Sequence, residues 1–87
     1  MWVQPRDHKR VGSVLGVARE AAGLTQEVLA KRLSKPQSFI SSYESGQRRV
    51  DILEFLKITA AIGVDPIRLF AAVVKVEATP KAKAVKR

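Results

Sequence analysis

The chain has 87 residues, no cysteine and one histidine, and its 16 Lys and Arg exceed its 8 Asp and Glu to give a formal charge of +8. This length supports one small domain with tails, and without a thiolate site or a Ser/His/Asp set we expect no enzymatic activity, cofactor or metal. The longest apolar run, 70–74, is far below the ~20 residues of a membrane span, and the N-terminus lacks an apolar signal segment, so we expect no membrane association and a cytoplasmic location.

The first ten residues carry a net charge of +2 and are predicted to form a basic arm, 1–10. Asp7 suits the N-cap of a first helix over about 8–22. Gly12 and Gly16 lower its helix propensity, so its N-terminal half is expected to fray. The residues that would share its apolar face are Val11, Val14 or Leu15, Ala18 and Ala22.

Two short helices are predicted next, at about 25–33 and 36–45, joined by a tight turn over 34–36. Thr25 can cap the first with its hydroxyl, and Pro36, which has no N–H and a helical φ, suits the entrance of the second. Two such helices around a tight turn predict a helix-turn-helix, a motif that reads DNA. The helix at about 25–33 would bury Val28, Leu29 and Leu33, and Ala30 would allow another backbone to approach closely.

Two further helices complete the predicted domain, 11–74. Asp51 and Glu54 form a capping box at the start of the fourth, and Asp65 followed by Pro66 begins the fifth. Residues 73–77 could continue the fifth helix or turn into an extended segment. The predicted buried stripes are Ile52, Phe55, Ile58, Ala61 and Ile62 in the fourth helix and Ile67, Leu69, Phe70 and Val73 in the fifth.

Five short helices predict an all-α, compact bundle. The remaining residues, 75–87, carry a net charge of +4 and too little apolar content to fold alone, so a basic, flexible tail is predicted. The two basic ends could neutralise nucleic-acid phosphates, or they could simply be solvated.

The second helix of the pair is the candidate reading surface. If Ile40 and Tyr43 point inward, its polar side chains lie on the opposite arc. A glutamine can form two hydrogen bonds with adenine, and serine hydroxyls can donate or accept at several base edges; the alternative is that they only solvate the helix. Phe39 could touch a thymine methyl or pack between helices, and packing is favoured. The predicted base-reading residues are Gln37, Ser38, Ser41 and Ser42.

DNA-backbone contacts are expected around this surface. Gln26 lies in the first turn of its helix, where free N–H groups favour a phosphate. Arginines near the fourth helix could bind phosphates bidentately or could merely be solvated. The predicted backbone set is Gln26, Lys35, Ser45, Arg48 and Arg49.

These residues carry a family resemblance. The chain resembles the Cro and phage-repressor (XRE-type) DNA-binding family over about residues 11–70, in the order Gly23-Leu24-Thr25-Gln26, Leu29-Ala30, Leu33, Gln37-Ser38, Ile40-Ser41, Tyr43-Glu44 and Gly46. The resemblance implies a lambda-repressor-like domain and DNA contacts at the predicted positions. It also implies a partly buried ion pair between Arg19 and Glu44, to which we assign a structural role. The turn departs from the family, because Ser34-Lys35-Pro36 replaces the frequent glycine and apolar residue.

The function that the resemblance implies is regulation of transcription, with repression as the expected mode and helix 36–45 in the major groove of double-stranded DNA. One unit reads few base pairs, so a homodimer on a near-palindrome is expected. Two alternatives stay open: an antitoxin-like module that also binds a partner protein, and a non-specific nucleic-acid coater. The candidate dimer interface, which could instead complete the monomer core, is Ile67, Phe70, Val73 and Val74.

Overall fold

The computed structural model describes residues 5–77, and within this part of the chain there are five helices and no strand, which confirms the all-α prediction. No helix among the described residues is long and apolar enough to cross a membrane. The helices are α1 Pro5–Ala21, α2 Gln26–Leu33, α3 Gln37–Ser45, α4 Ile52–Ile62 and α5 Pro66–Glu77.

Side-chain caps begin α2 and α4 at the predicted residues. The Thr25 hydroxyl accepts from the Val28 N–H at 3.1 Å at the start of α2. The Asp51 carboxylate accepts from the Glu54 N–H at 2.8 Å, and Glu54 accepts from the Asp51 N–H at 3.1 Å, so the capping box is confirmed. One difference is that Pro36 is the N-cap of α3, with ψ 155°, and the helix begins one residue later.

The first helix differs from its prediction at both ends. It begins at Pro5, because proline suits a first helical position, so Asp7 lies inside the helix and not at its N-cap. Residues 5–10 of the predicted arm are therefore helical. It ends at Ala21, which leaves Ala22 exposed in the turn that follows. Residues 1–4 of the predicted arm lie outside the described residues.

At the other end of the described chain, the helix α5 runs without a break through 73–77, which settles the choice between helix and extended chain. Residues 78–87 of the predicted tail lie outside the described residues.

One hydrophobic core joins the five helices, with α1 packed on α3 and α5, and α2 packed on α3 and α4. Four residues predicted to be buried are exposed. Val28 is 41% exposed because it lies on the flank of α2. Ile52, Ile67 and Phe70 are 63%, 78% and 48% exposed because they line an open groove between α4 and α5. Val73, predicted both for the buried stripe of the fifth helix and for the dimer interface, is 8% exposed and belongs to the core, which consists of Leu15, Ala18, Leu29, Ala30, Ile40, Tyr43, Phe55, Ile58, Ile62 and Val73.

The two glycines of α1 lie where α3 crosses it. A Cβ on Gly12 would lie 1.8 Å from the main-chain oxygen of Tyr43, and a Cβ on Gly16 would lie 3.2 Å from the carboxyl carbon of Glu44. The helix is continuous through both positions. Their absence of a side chain lets α3 pack directly against the α1 backbone.

Tyr43 places a polar group in this core. Its side chain is 0% exposed, and no hydrogen-bond partner for its Oη lies among the described residues. Burial, together with the nearby carboxylate of Glu44, raises the pKa of the phenol well above its usual range. The hydroxyl is therefore buried in its neutral form without compensation.

Replacing Tyr43 by phenylalanine is expected to keep or raise stability. The ring would retain its edge-to-face contact with Phe39, whose centroid lies 5.5 Å away, while the uncompensated hydroxyl would be removed. We expect the free energy of unfolding to stay level or rise by up to about 1 kcal/mol in urea denaturation. A loss greater than about 1 kcal/mol would mean that the hydroxyl has a hydrogen-bond partner.

Candidate nucleic-acid interface

Helix α3 turns one face to the core and the other outward. Ile40 and Tyr43 are both 0% exposed, as the sequence predicts. The side chains of the opposite arc form an exposed row, which we call the reading row: Gln37, Ser38, Ser41 and Ser45. Ser42, predicted to share this arc, is half-buried and lies at its edge.

Two of the three serine hydroxyls of the row donate hydrogen bonds to the backbone of their own helix. Ser41 Oγ donates to the carbonyl of Ser38 at 3.3 Å, and Ser45 Oγ donates to the carbonyl of Ser42 at 3.1 Å. Each oxygen keeps lone pairs for accepting a hydrogen bond from outside. In this arrangement the serines can accept from the amino groups of adenine or cytosine in a major groove.

A chain of hydrogen bonds runs from the interior to Gln37. Glu44 Oε1 accepts from Gln26 Nε2 at 2.9 Å, and Gln26 Oε1 accepts from Gln37 Nε2 at 3.2 Å. Gln37 keeps its own Oε1 and one N–H for another partner. Those two groups are the pair that a glutamine uses to bind adenine N6 and N7 bidentately.

Arg19 of α1 holds Glu44 from the other side. Arg19 Nε donates to Glu44 Oε2 at 2.8 Å and Nη2 donates to Oε1 at 3.1 Å, and the two side chains are only 9% and 12% exposed. Arg19 Nη1 also donates to the carbonyl of Leu24 at 2.6 Å. The hydrogen bonds to Glu44 raise the pKa of Arg19 against the opposing effect of burial. The structure thus brings the two predicted partners together at the junction of α1, α2 and α3.

Phe39 packs against the core, the alternative that was favoured from the sequence. Two cationic side chains also lie over its ring. Arg48 Cζ lies 4.8 Å from the centroid of its ring, and Lys35 Nζ lies 5.4 Å from it. Both distances fall within the range of a cation–π contact. Two residues of the predicted backbone set therefore meet at one flank of α3.

Glu54 was not predicted from the sequence as the partner of Arg48. Arg48 Nη1 and Nη2 donate to the two carboxylate oxygens of Glu54 at 2.9 and 2.8 Å. Glu54 was assigned only to the capping box, yet its carboxylate accepts hydrogen bonds both from the Asp51 N–H and from Arg48. The signal in the sequence was an arginine placed six residues before an acidic N3 position. The remaining predicted backbone residues lie around the same surface, with Lys35 and Arg49 exposed and Gln26 half-buried.

Acidification is expected to reduce stability through Glu54. Its hydrogen bonds with Arg48 lower its pKa from the usual value, against the opposing effect of burial, and the Asp51 N–H adds to the lowering. A carboxyl with a lowered folded-state pKa stabilises the fold above its unfolded pKa, and that stabilisation is lost as pH falls through the folded value. Urea denaturation at about pH 6 and about pH 3 should therefore show a smaller loss for Glu54→Gln than for the natural chain. Equal losses would contradict this assignment.

An apolar groove of about 230 Å³ runs between α4 and α5. Of the predicted interface residues, Ile67 is 78%, Phe70 48% and Val74 47% exposed, whereas Val73 is in the core. Two further exposed residues line the groove beside Ile67 and Phe70: Ile52, which was predicted to be buried, and Leu56, for which no role was predicted.

Comparison with known proteins places this arrangement in a family. A family model described as helix-turn-helix matches residues 15–69. The chain is 34% identical over 61 residues to an uncharacterized HTH-type transcriptional regulator, y4dJ, from Sinorhizobium fredii, covering 70% of this chain and 79% of that protein. The chain belongs to the XRE-type helix-turn-helix family of DNA-binding transcriptional regulators.

Solved structures agree with this assignment. An XRE-family like protein from Pseudomonas syringae pv. tomato is 39% identical, with a TM-score of 0.72 over 82% of this chain and 87% of that one. The restriction-modification controller protein C.AhdI from Aeromonas hydrophila is 34% identical, with a TM-score of 0.67 over 74% of this chain and 97% of that one. The clp gene regulator ClgR from C. glutamicum shares the fold at 18% identity, with a TM-score of 0.75 over 80% of this chain and 91% of that one.

Proposed function

We propose that this protein is a sequence-specific regulator that binds double-stranded DNA with α3 in the major groove. The observation that carries the proposal is the reading row, which lies opposite the fully buried Ile40 and Tyr43 and begins with a Gln37 already oriented by Gln26. An α-helix fits the major groove, where each base pair offers a distinct pattern of donors and acceptors. The base-reading set is Gln37, Ser38, Ser41 and Ser42.

The cations beside α3 fix the register of the domain on the duplex. Lys35, Arg48 and Arg49 contact phosphates, as do Gln26 and Ser45. Such contacts supply affinity without sequence information. Base contacts from α3 together with these phosphate contacts are typical of a protein that binds a specific DNA site.

The active species is a homodimer. One reading helix covers only a few base pairs, and two copies related by a two-fold axis would recognise the halves of a near-palindrome. The groove between α4 and α5 supports this assembly, because Ile67 and Phe70 expose apolar side chains there, and Val74 is also exposed on α5. Ile52 and Leu56 extend the same surface.

Occupancy of a promoter by such a dimer represses transcription by excluding polymerase, an effect that requires binding alone. The similarity to a restriction-modification controller protein supports a regulatory role.

Selection of bound duplexes from a random pool at near-physiological salt tests the proposal. The predicted result is an enriched inverted repeat with half-sites about one helical turn apart, or a multiple of it. Binding without enrichment, with one uniform affinity and a steep salt dependence, would replace the proposal with the non-specific coater. An absence of DNA binding would instead favour the antitoxin-like, protein-binding alternative.

A further inference from the structure

Arg48 is held on three sides in the free protein. Its Nη1 and Nη2 both bond to the Glu54 carboxylate, its Nη1 also donates to the carbonyl of Arg49 at 2.8 Å, and its guanidinium lies over the ring of Phe39. Glu54 is in turn fixed by the N–H of Asp51. The guanidinium thus has one defined position although its side chain is 42% exposed.

The donors that remain lie together on one edge. A guanidinium has five N–H groups, and these contacts use three of them. No hydrogen bond among the described residues uses the Nε–H or the second Nη2–H. These two groups are parallel and form a fork, which is the geometry that binds two oxygens of one phosphate.

The location of this fork relates it to α3. Phe39, whose ring lies under the Arg48 guanidinium, directly follows Ser38 of the reading row in the chain. Lys35 places a second cation within 5.4 Å of the centroid of the same ring. A duplex whose major groove contains α3 has a phosphate backbone along this flank.

We infer that Arg48, positioned by Glu54 and Phe39, is a clamp for one DNA backbone phosphate, and that Glu54 strengthens DNA binding despite its negative charge. The inference rests on the proposed function for its orientation on DNA. An unrestrained arginine loses rotamer freedom when it binds a phosphate, whereas this one is already ordered. Glu54 is a positioning residue because it acts through Arg48.

Glu54→Gln separates positioning from simple charge. Removing a carboxylate makes the protein more positive, which by itself strengthens binding to DNA. Gln also serves at the N3 position of a capping box, so the start of α4 is retained. If Glu54 positions Arg48, the variant binds more weakly in spite of its added positive charge.

The experiment measures affinity by fluorescence anisotropy over a salt series. For Glu54→Gln we expect a loss of about three- to tenfold and a salt slope reduced by about one unit, the equivalent of one phosphate contact. Arg48→Lys should show the same loss, because lysine keeps the charge and has no fork. The matched control is Glu27→Gln, which removes an exposed carboxylate that makes no hydrogen bond or ion pair among the described residues; it should bind as well as the natural chain or better.

A double variant tests whether Glu54 affects DNA binding through Arg48. In an Arg48→Ala background, Glu54→Gln should no longer weaken binding. The inference is overturned if Glu54→Gln strengthens binding as Glu27→Gln does, or if it leaves the salt slope unchanged.

The inference and the proposed function can fail separately. Phosphate contacts do not depend on sequence, so the same series can be measured on any duplex that the protein binds. Lack of a preferred sequence would contradict the proposed function while the Glu54→Gln comparison still tests the clamp, and loss of all DNA binding by the natural chain would contradict both.

Discussion

Replacing Gly12 by alanine is expected to destabilise the protein severely. The new Cβ would lie 1.8 Å from the carbonyl oxygen of Tyr43 and 2.8 Å from its carbonyl carbon. Both are main-chain atoms of α3, so no side-chain rotation relieves the clash, and α1 has to move away from α3. The gain of about 1 kcal/mol in helix propensity is smaller than the overpacking that results.

We expect the free energy of unfolding to fall by about 3 kcal/mol or more, measured by urea denaturation. Ser13→Ala, at the next and exposed position of α1, is the control and should be neutral or slightly stabilising. Gly16→Ala should lie between the two, because the nearest atoms there belong to the side chain of Glu44. Equal stability of the Gly12 and Ser13 variants would contradict the close approach of α1 and α3.

Removing one partner of the Arg19–Glu44 pair is the second large effect that we expect. In Arg19→Ala, Glu44 would keep its charge in a site where its side chain is only 12% exposed, with Gln26 as its remaining partner. The carbonyl of Leu24 would also lose its donor. Stranding a buried charge in this way costs about 3–5 kcal/mol.

The measurement is thermal unfolding, where a loss of this size lowers Tm by at least about 12 °C in a domain of this length. The matched control is Arg48→Ala, which breaks the more exposed pair with Glu54 and should cost less than about 1 kcal/mol. Adding Glu44→Ala to Arg19→Ala should cost less than the two changes summed, because the stranded charge is then absent. An unchanged Tm in Arg19→Ala would contradict the structural role of the pair.

Much of the fold is predictable from the sequence because the relevant chemistry is local. Thr25 and Asp51 cap helices whose N–H groups lie three residues further on, so their contribution does not depend on the rest of the chain. Ile40 and Tyr43 face inward because helical periodicity puts them on one side of α3. The outward position of the reading row follows from the same periodicity.

The missed features depend on residues distant in the chain. Gly12 looks unfavourable for a helix when α1 is considered alone. A glycine is needed there because the backbone of Tyr43 packs against this position, a contact that exists only in the folded state. The spacing of Gly12 and Gly16, four residues apart, was the available signal, because such residues share one helix face. Val73 and Val74 are equally apolar, and only the direction of α5 decides that the first is buried and the second is exposed.

Gln37 and the other base-reading residues of α3 are proposed to contact bases, and a selection performed in parallel with the natural chain and Gln37→Ala tests this most directly. Gln37 carries the two free groups that match adenine, so its truncation should relax the base preference at one position of each half-site. The discrimination lost there should be about 1–3 kcal/mol, while the other positions keep theirs. An identical enriched sequence from both proteins would contradict base reading by Gln37 at the start of α3.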